Sequence, residues 1–177
     1  MSPQTQRMRD FDAFKTELEN GSDRAVIVIG GSLIELGLEE CLLAVLRPPI
    51  SDEEKSRLFS SGGIAETFSQ KISACYFLRI VSLGVRKDLD TIRKIRNLAA
   101  HHLNPISFDD QQISDLCKNI SYSRSLTVKS NRDKFKVCVM VLAGMLFAHA
   151  ATSAGTGEIR LPAEEPKPGL GGAEITP

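Results

Sequence analysis

The residues best equipped for chemistry are Arg96, Asn97 and His101, in the run Arg96-Asn97-Leu98-Ala99-Ala100-His101. A guanidinium grips a phosphate through two parallel N–H donors. A carboxamide can orient such a group, and an imidazole titrates near neutral pH, which suits general acid–base work. On a helix Asn97 and His101 stand one turn apart and are surface neighbours. Arg96 and His101 lie about 140° apart on the wheel, a gap that an arginine side chain can lean across. One reading is therefore a site in which Arg96 holds a phosphate, Asn97 orients it and His101 moves protons. The other is structural: Arg96 pairs with a carboxylate, and His101 is a solvated cation near a helix C-terminus, where positive charge is favoured.

These residues need a helix to carry them, and the pattern predicts one from Asp88 to His102, broken by Asn104-Pro105. Leu89, Ile92, Ile95, Ala99 and Leu103 share an arc of roughly 120°, the expected core face. Arg96 falls just inside its edge. Ser32, Glu35 and Glu39 form a polar line on an otherwise apolar second helix, and either Glu is a candidate partner for Arg96. His102 satisfies the same spacing from Arg96 but sits at the core margin, so His101 is the expected reactive histidine.

The remaining helices follow from apolar spacing and breakers. Met8, Phe11, Phe14 and Leu18 predict a helix over residues 7–20, ended by Gly21. Ser22 or Asp23 caps the next, which runs to about Arg47 and stops at Pro48-Pro49. Gly30-Gly31 and Gly37 lie inside it and would let another backbone approach closely. Ser51 and Glu54 fit a capping box. Ala65–Leu83 is expected to be one long helix closing at Gly84. Asp109 or Asp110 opens a short helix to about Ile120, and Asn131–Thr152 is the last. The expectation is an all-α, single-domain helical bundle over residues 1–152, with no sheet. Residues 153–177, rich in Gly, Pro, Ala and Glu without periodicity, are expected to be a disordered C-terminal tail.

Charge and composition limit the function. The 177 residues contain 22 basic and 22 acidic side chains, which argues against affinity for DNA drawn from a broad basic surface. With few aromatics and no Trp, a stacking platform for single-stranded nucleic acid is not expected. Lys129, Arg132, Lys134 and Lys136 form a small basic cluster, read as a solvated face, with a phosphate-backbone role as the minor alternative. The cysteines, Cys41, Cys75, Cys117 and Cys138, are too far apart for metal-binding pairs and are expected to be reduced and mostly buried. Gly30-Gly31 is followed by no Walker-type Lys. No Ser/His/Asp set or metal-ligand set is visible, so neither cofactor nor metal is expected. Residues 25–46 are very apolar but carry Glu35, Glu39 and Glu40, and the charge-free run 137–148 is too short to span a bilayer. With no apolar leader in residues 1–10, a cytoplasmic protein is expected.

The chain also resembles a known family. Arg96-Asn97 with His101 looks like the Arg-x4-6-His motif of the HEPN superfamily of helical bundles. Gly21-Ser22-Asp23-Arg24-Ala25, then Glu35, Leu38, Glu39 and Leu42, resemble the opening of the mannitol operon repressor (MtlR-like) family. Leu58-Phe59 before Gly62-Gly63, Phe68-Ser69-Gln70-Lys71-Ile72, and Asp90 through Asn97 with Ala100-His101 continue the order. Ser107-Phe108-Asp109-Asp110 and Ile113 through Cys117 close it, so the likeness spans about residues 10–120. Ala99 departs from it, since relatives tend to carry a larger apolar residue there.

The resemblance implies a HEPN-like helical fold and a transcriptional regulator. Neutral charge agrees with action through a protein partner rather than direct, sequence-specific DNA binding. The wider superfamily implies a different activity, metal-independent RNA cleavage, with two Arg–His motifs facing each other in a homodimer cleft. There Arg96 would hold the scissile phosphate. His101 would act as general acid or base while a ribose 2′-OH attacks, leaving a cyclic phosphate. Many relatives keep the motif as a nucleotide-binding or purely structural element.

Overall fold

The computed structural model describes residues 14–46, 50–101, 103–122, 128, 130–152 and 159. Helix α1 covers residues 14–20. It is followed by α2 (Asp23–Val45), α3 (Asp52–Phe59), α4 (Phe68–Phe77), α5 (Leu83–His101), α6 (Gln111–Lys118) and α7 (Asn131–Ala151). Among the described residues there is no strand beyond one isolated bridge, so the fold is all-α as the periodicity predicts. The expectations for Met8, Phe11, Pro48-Pro49, His102 and Lys129 fall outside the described residues, as does residues 153–177 apart from Ile159.

Helix α2 is the centre, packed on α4, α5 and α7. Its buried Val26, Ile27, Leu33, Ile34, Leu38 and Leu42 lie on one half of the helix, and Val28, Ile29, Leu36 and Leu43 on the other half are why the segment reads as apolar on nearly every side. The two inward glycines let α7 close in. A Cβ at Gly30 would lie 3.0 Å from Phe135 and one at Gly37 3.0 Å from Leu146. The Cys41 thiol reaches the Leu146 carbonyl at 3.1 Å. These contacts advance together along both chains, so α2 and α7 run parallel.

The caps explain most boundaries. Ser22 accepts from Ala25 N–H at 3.2 Å, and the Ser51–Glu54 capping box forms with both bonds. The region between α4 and α5 differs from expectation. The stretch 65–83 is not one helix: Thr67 and Gln70 form a capping box that starts α4 at Phe68. The chain leaves it through Arg79, whose φ of 57° is left-handed. Ser82 then caps a new start, its hydroxyl accepting from Val85 N–H at 3.2 Å. Helix α5 therefore begins at Leu83, five residues before the sequence pattern placed it, and Gly84 lies in its first turn. Helix α7, over Asn131–Ala151, agrees with the expected Asn131–Thr152, and at 21 residues it is long and apolar enough by length and composition to cross a membrane. The charge-free run 137–148 understates it. The helix instead packs Phe135, Cys138, Val139, Leu142, Ala143 and Leu146 into the protein core.

All four cysteines are free and buried, as expected. Burial pushes the Cys41 thiol up to about 12 and the Cys117 thiol to about 11, so neither is a ready nucleophile.

Asp23 is the hub of a clasp at one end of the bundle. Its carboxylate accepts from Ser107 Oγ at 3.1 Å, from Phe108 N–H at 3.0 Å and from the Arg132 guanidinium. Arg132 also donates to the Gly21 carbonyl at 2.6 Å. So Arg132 is a tether between helix ends and not part of a solvated basic face, which corrects its sequence reading. Burial alone would raise the Asp23 carboxyl, but the Phe108 N–H, Arg132 and Ser107 outweigh it and hold the group below its ordinary value. A depressed carboxylate stabilises the fold above its unfolded pKa and loses that contribution as pH falls through the folded one. The urea midpoint of the wild type is therefore expected to fall as pH drops below the ordinary aspartate value of about 4. Asp23→Asn should start lower at neutral pH and show a shallower acid limb.

Candidate functional site

The Arg96 motif sits where α5 crosses α2. Buried Val85, Leu89, Ile92, Ile95 and Ala99 turn inward. Leu103 was expected on the same face but is 99% exposed, because α5 ends at His101 and the chain bends away. Arg96 lies along α2 at Gly31. A Cβ there would come within 2.7 Å of Arg96 Cγ, so glycine is what lets the arginine stem lie flat on the helix.

The head of Arg96 meets two groups. Nη1 donates to Asn97 Oδ1 at 3.3 Å, and Nη2 stands 4.0 Å from Glu35 Oε2. Its Nε is buried without a hydrogen-bond partner. The structural reading of the sequence, a Glu of α2 facing Arg96, thus has its geometry, at the long limit of an ion pair. The closer partner of both α2 glutamates is Lys71 of α4, with Nζ 2.7 Å from Glu35 Oε1 and 2.7 Å from Glu39 Oε1. The Lys71 side chain is only 4% exposed. Its ammonium also lies 5.9 Å from the Phe59 ring centroid. Desolvation pulls the Lys71 pKa down, but the two carboxylates more than reverse this and raise it.

The site is therefore an ion cluster of two glutamates, one lysine and one arginine, buried at its lysine and open at its arginine. Sequence reading missed Lys71. The signal was present: Phe68, Lys71, Ile72 and Cys75 fall on one helical stripe, and a lysine there requires carboxylates from a facing helix. Glu35 and Glu39, one turn apart, supply them.

Around the helix the chemistry thins. Asn97 and Arg96 touch, whereas His101 is exposed in the last turn of α5, and no side-chain hydrogen bond or ion pair reaches it among the described residues. One copy brings Arg96 and Asn97 together and leaves His101 apart on the solvent side. On the near flank Asp90 sits 3.3 Å from Arg93 and 4.0 Å from Arg86. Arg86 covers the Tyr76 ring at 4.6 Å. Among the described residues no group of three His, Cys, Asp or Glu could hold a metal.

No protein-family model matches the sequence, and neither does any curated protein. Among solved structures, a chain of the X-ray structure of the MtlR–HPr complex from Escherichia coli is similar, with a TM-score of 0.60 and 14% sequence identity. The match covers 76% of this chain and 98% of that one. At that identity the likeness is one of fold.

Proposed function

We propose that the protein is an MtlR-like transcriptional regulator of the cytoplasm that acts through a protein partner and not by gripping DNA. The observation that carries this reading is the shared fold over nearly the whole of a chain from a complex with HPr. The order of residues from Gly21 to Cys117 and the exact balance of 22 basic and 22 acidic side chains support it. Calorimetric titration with HPr from the same cells is the direct test. Saturable binding is the expected result, together with the absence of tight, salt-sensitive DNA binding in a mobility-shift assay. DNA binding without HPr binding would overturn the proposal.

A second reading is a metal-independent endoribonuclease that uses Arg96, Asn97 and His101 across a homodimer. It is favoured by one observation: His101 stands exposed one turn from Asn97, on a face a second copy could meet. On this reading RNA is cut in the presence of a chelator, and His101→Ala abolishes cutting with the melting temperature unchanged, since an exposed side chain carries little packing. Intact RNA after incubation with the wild-type protein would remove it.

A further inference from the structure

Past the last helix, Ile159 returns to the body of the protein. Its N–H donates to the Ile80 carbonyl at 2.7 Å, and its own carbonyl accepts from Ser82 N–H at 2.8 Å. The result is a parallel bridge to Val81. Ile80, Val81 and Ser82 are all buried, 2%, 0% and 3% exposed. They form the short extended link between α4 and α5. A buried backbone carbonyl and N–H there need partners, and Ile159 supplies both. The Ile159 side chain is half-buried against the core.

The surroundings fit a docking platform. Phe77, Leu78 and Leu83 are 74%, 55% and 50% exposed, although they flank a buried segment. Large apolar side chains clustered beside an extended backbone mark a place where a further strand can add.

We propose that residues 80–82, with Phe77, Leu78 and Leu83, form a strand-addition slot whose occupant is this chain's own C-terminal segment around Ile159. Among the described residues, two backbone hydrogen bonds and one half-buried side chain seat Ile159 in the slot, and on this proposal the strap detaches while the helices stay packed. This inference stands apart from the proposed regulator function, since it uses no residue of the Arg96 cluster.

Amide hydrogen exchange on the full-length protein tests it. In Ile159→Asp, and in Ile159→Pro, which removes the N–H donor, the Ser82 amide is expected to exchange about tenfold faster or more, as a locally opened segment does. Amides of α2 and α7 should keep their protection. A synthetic peptide with the sequence of residues 155–163, added to Ile159→Asp, should restore slow exchange at Ser82. If Ile159→Asp loosens α2 and α7 as well, the peptide is titrated against Ile159→Gly and read the same way. Unchanged Ser82 exchange in the variants, or no response to the peptide, would overturn the proposal.

Discussion

Asp88→Ala is expected to destabilise the protein by about 4 kcal/mol, near the top of the range for a single substitution. Asp88 is fully buried in α5, 0% exposed. One carboxyl oxygen accepts from Ser121 N–H at 2.8 Å and the other from Tyr122 N–H at 2.9 Å. Those bonds pin the chain leaving α6 to α5, just ahead of the segment that leads to α7. A hydrogen bond to a charged group contributes about 1.5–3 kcal/mol, and an amide left without a partner adds its own desolvation penalty. Alanine removes both acceptors and opens a cavity at the same point. Asp88→Asn keeps the shape and one acceptor but turns an N–H₂ toward the second amide, so it should cost about 2 kcal/mol. Urea unfolding followed by circular dichroism measures both. Equal stability of wild type and Asp88→Ala would show that the loop holds itself without the carboxyl.

Lys71→Ala is expected to lower stability by about 3 kcal/mol, somewhat less because Glu35 and Glu39 are 22% and 30% exposed. The cost arises from what is left behind: two carboxylates one turn apart on α2, facing a pocket from which the cation has gone. The melting temperature should fall by about 10 °C. The triple variant Lys71→Met, Glu35→Gln, Glu39→Gln should regain a large part of the loss, because replacing a buried ion cluster as a whole is far milder than removing one partner. The pH dependence has a definite sign. A lysine whose pKa is raised on folding contributes stability that is present below its unfolded value of about 10.4 and fades as pH climbs through the folded one. Wild type should therefore lose stability on the alkaline side more steeply than Lys71→Ala. Parallel alkaline curves would exclude a charged Lys71 as the source. The same variant bears on the Arg96 motif: with Lys71 gone, Glu35 is free to move fully onto Arg96.

Sequence alone determined the helical class and most of the helix starts. Both follow from interactions between residues three or four apart: the apolar stripes of α2, α5 and α7, the Ser22 cap, and the Ser51–Glu54 box. The glycines of α2 were legible as places of close approach, and the structure fills them with Phe135, Leu146 and the stem of Arg96. The motif Arg96-Asn97 was legible too, as was the need for a carboxylate from α2 at its edge.

Tertiary structure decided the rest, wherever a partner is distant in the chain. Glu35 is drawn closest to Lys71, 36 residues away, and only then to Arg96. Arg132 reads as one of a run of basic residues until Asp23, 109 residues earlier, is placed against it. Asp88 reads as a helix-opening acid, yet α5 begins at Leu83 and leaves it buried beneath Ser121 and Tyr122. Even at the break between α4 and α5, where periodicity ran on, the backbone groups of Ile80 and Ser82 are met by a partner as remote as Ile159. Local spacing sets which backbone torsions a segment prefers, but a charge or an open backbone group in a core is settled by whichever group folding brings within about 3 Å of it.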